Sequence, residues 1–195
     1  MRTLFAVFTT LTLTLHAANW PMWRGAGGNG VSSEKNLPVK WSATENIVWK
    51  VALPQRGNST PVIWGDKIFL TQPLEKEYRR TLMCLDRRNG KVLWQRGVKY
   101  TTKEETHRTN PYCSESAATD GERVITAFGS AGVFCYDLTG KLLWKREDLD
   151  AIEFEWGSAV SPVIHGNNVY VYRGPSKTSH LLALNKRTGK TIWRV

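Results

Sequence analysis

Hydrophobic positions fall in short runs of β-forming residues broken by Gly-containing turns, and no stretch keeps helical spacing long enough to compete. Three runs carry the pattern most plainly: Lys67 to Thr71, Arg123 to Phe128 and Asn168 to Tyr172. The last contains Val169-Tyr170-Val171-Tyr172, which is almost pure strand former. Each run follows an extended segment and a turn: Ser59 to Asp66, Ser116 to Glu122 and Ser161 to Asn167. A Gly beside a polar residue between two apolar runs is hairpin chemistry, because Gly takes positive φ without a Cβ penalty. A third strand then reaches an Asp or Asn, a turn ending in Gly-Lys follows, and a fourth strand carries a Trp.

These units repeat. Leu85 to Trp94, Tyr136 to Trp144 and Leu184 to Trp193 align on Gly-Lys-x-x-Trp, with Gly90, Gly140 and Gly189 in the turns. The Trp residues recur at spacings of 50 and 49, and Trp49, 45 residues before Trp94, marks the start of the series. A period of roughly 40 to 50 residues belongs to four-stranded propeller blades and to some helical repeats. The turn and strand chemistry chooses the all-β alternative, a β-propeller. Three units do not close a ring, since propellers typically need about four to eight blades. The expectation is therefore an N-terminal fragment, about three blades of a ring of seven or eight. If the three were the whole protein, unpaired sheet edges would drive assembly or aggregation. Residues 1–18 read as an export signal, 19–48 as an N-terminal arm and 49–195 as the incomplete blades.

An apolar strand, Asp, Gly-Lys, two residues and Trp resembles the repeat of the pyrroloquinoline-quinone-like (PQQ-like, or WD40-like) β-propellers. Trp20-Pro21-Met22-Trp23-Arg24-Gly25, Leu37 to Ser42, Ser59 to Val62 and Thr106 to Ser114 are similar to segments of exported bacterial, BamB-like members. The resemblance covers essentially all of Asn19 to Val195. It implies that Trp49, Trp94, Trp144 and Trp193 pack between blades. For function it implies an exported, non-enzymatic scaffold that binds other proteins in outer-membrane protein assembly. The alternative is a fragment of a PQQ-dependent quinoprotein dehydrogenase, with PQQ on the propeller axis beside calcium and a catalytic Asp. Such dehydrogenases carry a vicinal Cys pair and calcium ligands, and neither is recognisable here.

Composition changes this picture little. The chain has 195 residues, 41% of them apolar, which fits a globular protein and excludes a disordered one. No apolar run reaches the roughly twenty residues of a membrane-spanning helix. Arg2, the Leu- and Thr-rich run Leu4 to Leu15 and His16-Ala17-Ala18 read as a cleavable signal, placing the mature protein in the periplasm or cell envelope. The full chain's formal charge of +10 comes from Lys and Arg spread over turns without interleaved aromatics, which argues against nucleic acid. Other envelope proteins, or anionic envelope polymers, are the expected partners.

Candidate chemistry is sparse. Gly25 to Gly30 spells G-x-G-x-x-G but lacks a preceding strand and a following helix, so it reads as a flexible Gly-rich arm rather than a phosphate loop. His165 falls in a hairpin turn and His180 begins a strand, with no sequence grouping. Cys84 and Cys135 occupy one repeat position, filled by Ala183 in the third unit, and read as small buried strand residues. No Cys/His spacing suits a metal. The acidic run Glu147 to Glu155 lacks a Gly-bearing calcium turn and reads as a solvated loop between blades. The segment Gly97 to Glu115 stands out, because loops beyond about 12–15 residues are often functional. Its His107, Arg108, Asn110, Tyr112 and Cys113 form a candidate interaction loop, with two readings open: binding of a partner, or Asn110-Pro111-Tyr112 pinning the loop across the propeller face. Neither catalytic residues nor a cofactor or metal are expected, PQQ entering only under the dehydrogenase alternative.

Overall fold

A computed structural model describes residues 18–195. The expected export signal lies outside the described residues except for Ala18.

Among the described residues, twelve strands form three four-stranded antiparallel meanders. The first comprises β1 (Val62–Trp64), β2 (Lys67–Leu74), β3 (Arg79–Asp86) and β4 (Val92–Lys99). The second comprises β5 (Ala118–Thr119), β6 (Arg123–Ala127), β7 (Val133–Asp137) and β8 (Leu142–Arg146). The third comprises β9 (Val163–His165), β10 (Asn168–Arg173), β11 (His180–Asn185) and β12 (Thr191–Arg194). Neighbouring sheets meet at their short first strands, β1 with β5 and β5 with β9, as blades do around an axis.

The sequence patterning follows from this geometry. Successive strand residues point to opposite faces, and the middle sheet is covered on both. Val124, Phe134 and Tyr136 join Phe69, Leu82 and Cys84 in one buried cluster. Ile125, Val133 and Cys135 join Val169, Leu182 and Leu184 in another. β6 is therefore buried along its whole length despite containing Arg123 and Thr126. β2 runs to Leu74, beyond the expected Thr71, and tolerates Pro73 because β1 pairs only with Lys67 to Phe69, leaving the far half of β2 a free edge on that side.

The repeated Trp has a repeated seat. Trp94 Nε1 donates to the carbonyl of Leu138 at 3.2 Å, and Trp144 Nε1 donates to that of Lys186 at 2.9 Å. Their rings cover Gly140 and Gly189, both at positive φ in the next sheet's Gly-Lys turn. Trp49 does the same from a segment outside the strands, donating to the Arg87 carbonyl at 2.8 Å and covering Gly90. Trp193 is 37% exposed and covers no glycine among the described residues. Within each blade the Trp pairs in register with the small residue already noted: Cys84 with Trp94, Cys135 with Trp144, Ala183 with Trp193. A bulge follows that residue in all three sheets. The side chains of Asp86, Asp137 and Asn185 close the turns by accepting backbone N–H groups of Arg88, Thr139 and Arg187 at 2.8–3.0 Å.

The arm expected to be flexible is anchored at its start. Trp20 and Ile63 exchange backbone hydrogen bonds of 2.8 and 2.9 Å, and Pro21 accepts one from Thr119. Residues 19–21 thus lie along β1 and β5. Gly25 to Gly30 form turns, with Gly30 N–H bonded to the Arg24 carbonyl at 2.9 Å.

Candidate functional site

The β4–β5 and β8–β9 connections gather at the same end of the blades as the β2–β3, β6–β7 and β10–β11 turns. Because β4 extends through Lys99, the long connection spans residues 100–117 rather than starting at Gly97. Beneath it lie four charged side chains from distant parts of the sequence. Arg80 is the second residue of β3, Glu104 and Glu115 belong to the connection, and Arg173 ends β10.

The arrangement is dense. Arg80 pairs with Glu104 at 3.7 Å, and its guanidinium lies 3.4 Å from the Tyr112 ring centroid. Tyr112 Oη donates to the Glu104 carbonyl at 2.8 Å, and Glu104 Oε1 accepts the Ser130 N–H at 2.7 Å. Glu115 accepts the Gly129 N–H at 3.0 Å. Arg173 donates to the carbonyls of Gly129 and Asp150 at 2.6 and 2.5 Å, while its Nε has no partner. Burial pushes the Glu115 carboxyl up to about 7, against the hydrogen bonds that favour its charged form. Burial also lowers the Arg173 pKa, opposed by Glu115 and Glu104. Among Arg80, Glu104, Tyr112, Cys113 and Glu115 lies a cavity of about 20 Å³, room for roughly one water. The β6–β7 turn of the middle blade is thus tied to the 100–117 connection through Glu104 and Glu115 and to the third blade through Arg173.

The candidate loop residues do not converge on one point. Asn110 donates to the Trp156 carbonyl at 2.6 Å, and Arg56 and Asn58 donate to the carbonyls of Arg108 and Thr109. Cys113 is buried at φ +59°, and burial raises its thiol pKa. His107 is exposed and stacked on Trp156, ring centroids 5.5 Å apart. His165 closes β9 just before its turn and is exposed, whereas His180 opens β11 buried, with Nδ1 2.7 Å from the Thr178 carbonyl. In the acidic run, Glu147, Asp148 and Asp150 pair with Lys145, Arg146 and Arg194. Among the described residues, no group of three or more His, Cys, Asp or Glu side chains could hold a metal ion. No helix among them is long and apolar enough to cross a membrane.

Sequence reasoning chose the loop for its length but missed Arg80, Glu104, Glu115 and Arg173. The one available signal was Arg173, a charge placed directly after four strand formers.

Three side-by-side antiparallel meanders with an interlocking Trp define a partial set of β-propeller blades. The sequence profile of the family described as outer membrane protein assembly factor BamB matches residues 25–151 and 132–195, and the chain belongs to that PQQ-like repeat family. No curated protein sequence matches it. Among solved structures, quinohemoprotein alcohol dehydrogenase ADHIIG from Pseudomonas putida HK5 is similar, with TM-score 0.56, 19% identity, and coverage of 75% of this chain and 22% of its own. A europium-containing methanol dehydrogenase matches with TM-score 0.52, 15% identity, and coverage of 72% and 24%. BamB from Moraxella catarrhalis matches with TM-score 0.42, 18% identity, and coverage of 71% and 35%. The chain thus spans between a fifth and about a third of the length of these solved propellers.

Proposed function

We propose that this chain is part of an exported, non-enzymatic propeller that acts as a protein-interaction scaffold in the cell envelope. The observation that carries the reading is the match of the BamB family profile across residues 25–195. The long connection is compatible with it, being held as a rigid platform by Arg80, Tyr112 and Asn110 while leaving His107 and Trp156 at the surface.

The dehydrogenase alternative requires a host for PQQ, a tricyclic tricarboxylate. The buried cluster does not fit that group. Its cavity of about 20 Å³ is far below the roughly 300 Å³ at which small-molecule pockets begin, and three carboxylates, Glu104, Glu105 and Glu115, line it.

The test is titration of the natively produced protein with PQQ and calcium, followed by absorbance and by alcohol- and sugar-oxidation assays. Neither binding nor turnover is expected, and stoichiometric PQQ binding would overturn the scaffold reading. Fractionation of the producing cells checks location: the protein belongs in the envelope fraction, and cytoplasmic retention would remove the envelope role.

A further inference from the structure

Beside the buried cluster, the connections 100–105 and 151–155 enclose an open cleft of about 360 Å³. Tyr100, Ile152 and Phe154 supply apolar surface, Glu105, Glu153 and Glu155 supply acid, and Lys103 is the one cation in the lining. The cleft continues onto exposed aromatic surface. Phe154 and Trp156 lie with ring centroids 6.5 Å apart, and Trp156 is 57% exposed even though His107 stacks on it.

Only part of the charge here is spent internally. Glu104 is tied to Arg80, and Glu105 pairs with Lys103 at 3.6 Å. Three acids of the 147–155 run have cationic partners, but Glu153 and Glu155 have none among the described residues. In a chain of formal charge +10, an acid-lined cleft with exposed aromatic rings is complementary to a lysine or arginine side chain. The alkyl stem of such a side chain can lie on Tyr100, Ile152 and Phe154. Its charged head can meet Glu153 and Glu155, with the aromatic rings adding cation–π attraction.

We infer that this cleft is the docking surface for a lysine- or arginine-bearing segment of a partner protein. The inference rests on the scaffold reading and specifies the chemistry of the partner.

The test uses a fluorescently labelled peptide alternating lysine with threonine, and an equally long one alternating glutamate with threonine, with binding followed by anisotropy. The lysine peptide should bind, more weakly as salt rises, and the glutamate peptide should not. The double variant Glu153→Gln/Glu155→Gln should weaken lysine-peptide binding about fivefold or more. Phe154→Ser should weaken binding while leaving its salt dependence unchanged. These positions are exposed, and unchanged unfolding curves would establish that the variants fold. Equal binding of the two peptides, or undiminished binding by the double variant, overturns the inference. The PQQ titration separates the two failures: a protein that binds neither PQQ nor the lysine peptide removes this inference alone, whereas stoichiometric PQQ binding removes the scaffold reading itself.

Discussion

The indole of Trp94 lies over Gly140 of the neighbouring blade so closely that a Cβ at position 140 would stand 2.8 Å from Trp94 Cδ2. Gly140 is at φ +88°, so a side chain there is strained by the backbone and obstructed by the ring. Gly65 is a control at φ +55° with nothing within 4 Å of its added Cβ. Gly65→Ala should cost about 1 kcal/mol, the left-handed penalty alone. Gly140→Ala should cost about 3 kcal/mol, because the Trp94 seat is lost as well. Urea unfolding of both variants measures the difference, and equal costs would mean that the Trp–Gly contact contributes nothing to blade cohesion.

The two halves of that contact differ in how far the sequence displays them. Gly-Lys-x-x-Trp at spacings near 50 residues exposes the blades, because turn and strand chemistry is local. Register is not local. Cys84, Cys135 and Ala183 could be read as small buried residues, but not as the residues opposite the Trp just before a bulge. The charged cluster was hidden for a related reason. Arg80 and Arg173 stand 93 positions apart, and each looks like an ordinary strand charge until Arg173 reaches Gly129 of the β6–β7 turn and Arg80 reaches Glu104, which accepts from Ser130 of the same turn. The length of the connection singled out residues 100–117, whereas Arg80 and Arg173, half of the charged cluster beneath it, lie in strands outside it.

The thiols should be silent in the folded protein. Cys84, Cys113 and Cys135 are all free and buried, and burial pushes the Cys84 and Cys135 thiols up to about 12. The thiolate is the reactive form, so both burial and pKa oppose attack. A thiol reagent at pH 8 should label none of the three under native conditions and all three in denaturant. Rapid native labelling of Cys113 would show that the 100–117 connection opens readily.

Tyr112 separates packing from hydrogen bonding in holding that connection. Its ring receives the Arg80 guanidinium and its hydroxyl donates to the Glu104 carbonyl. Tyr112→Phe removes only the hydroxyl and should cost about 1 kcal/mol. Tyr112→Ala also removes the ring from Arg80 and should cost about 3 kcal/mol. Limited proteolysis should cut Tyr112→Ala within residues 100–112 well before Tyr112→Phe, and identical cleavage of both would assign the pinning to Asn110 and its bond to Trp156.

Glu115 gives the stability of the protein a distinctive pH dependence. Its carboxyl rises from 4.5 to about 7 on folding, chiefly because it is wholly buried. Below 4.5 both the folded and unfolded chains hold the proton. Between 4.5 and 7 the folded chain keeps a proton that the unfolded chain has released, so stability falls as pH rises through this window and levels off above it. The Glu115 contribution to this fall is about 3 kcal/mol. The acids with lowered pKa values act in a different range. Asp86, Asp137 and Asp148 are held down by hydrogen bonds from Arg88, Thr139 and Arg146, and their contributions are lost only as pH drops below about 4. Glu115→Gln keeps an acceptor for the Gly129 N–H and removes the titration. Urea unfolding at intervals from pH 4.5 to 7.5 should show a falling profile for the wild type and a flatter one for the variant. Parallel profiles would mean that Glu115 is ionised throughout, with Arg173 supplying enough compensating charge to offset its burial.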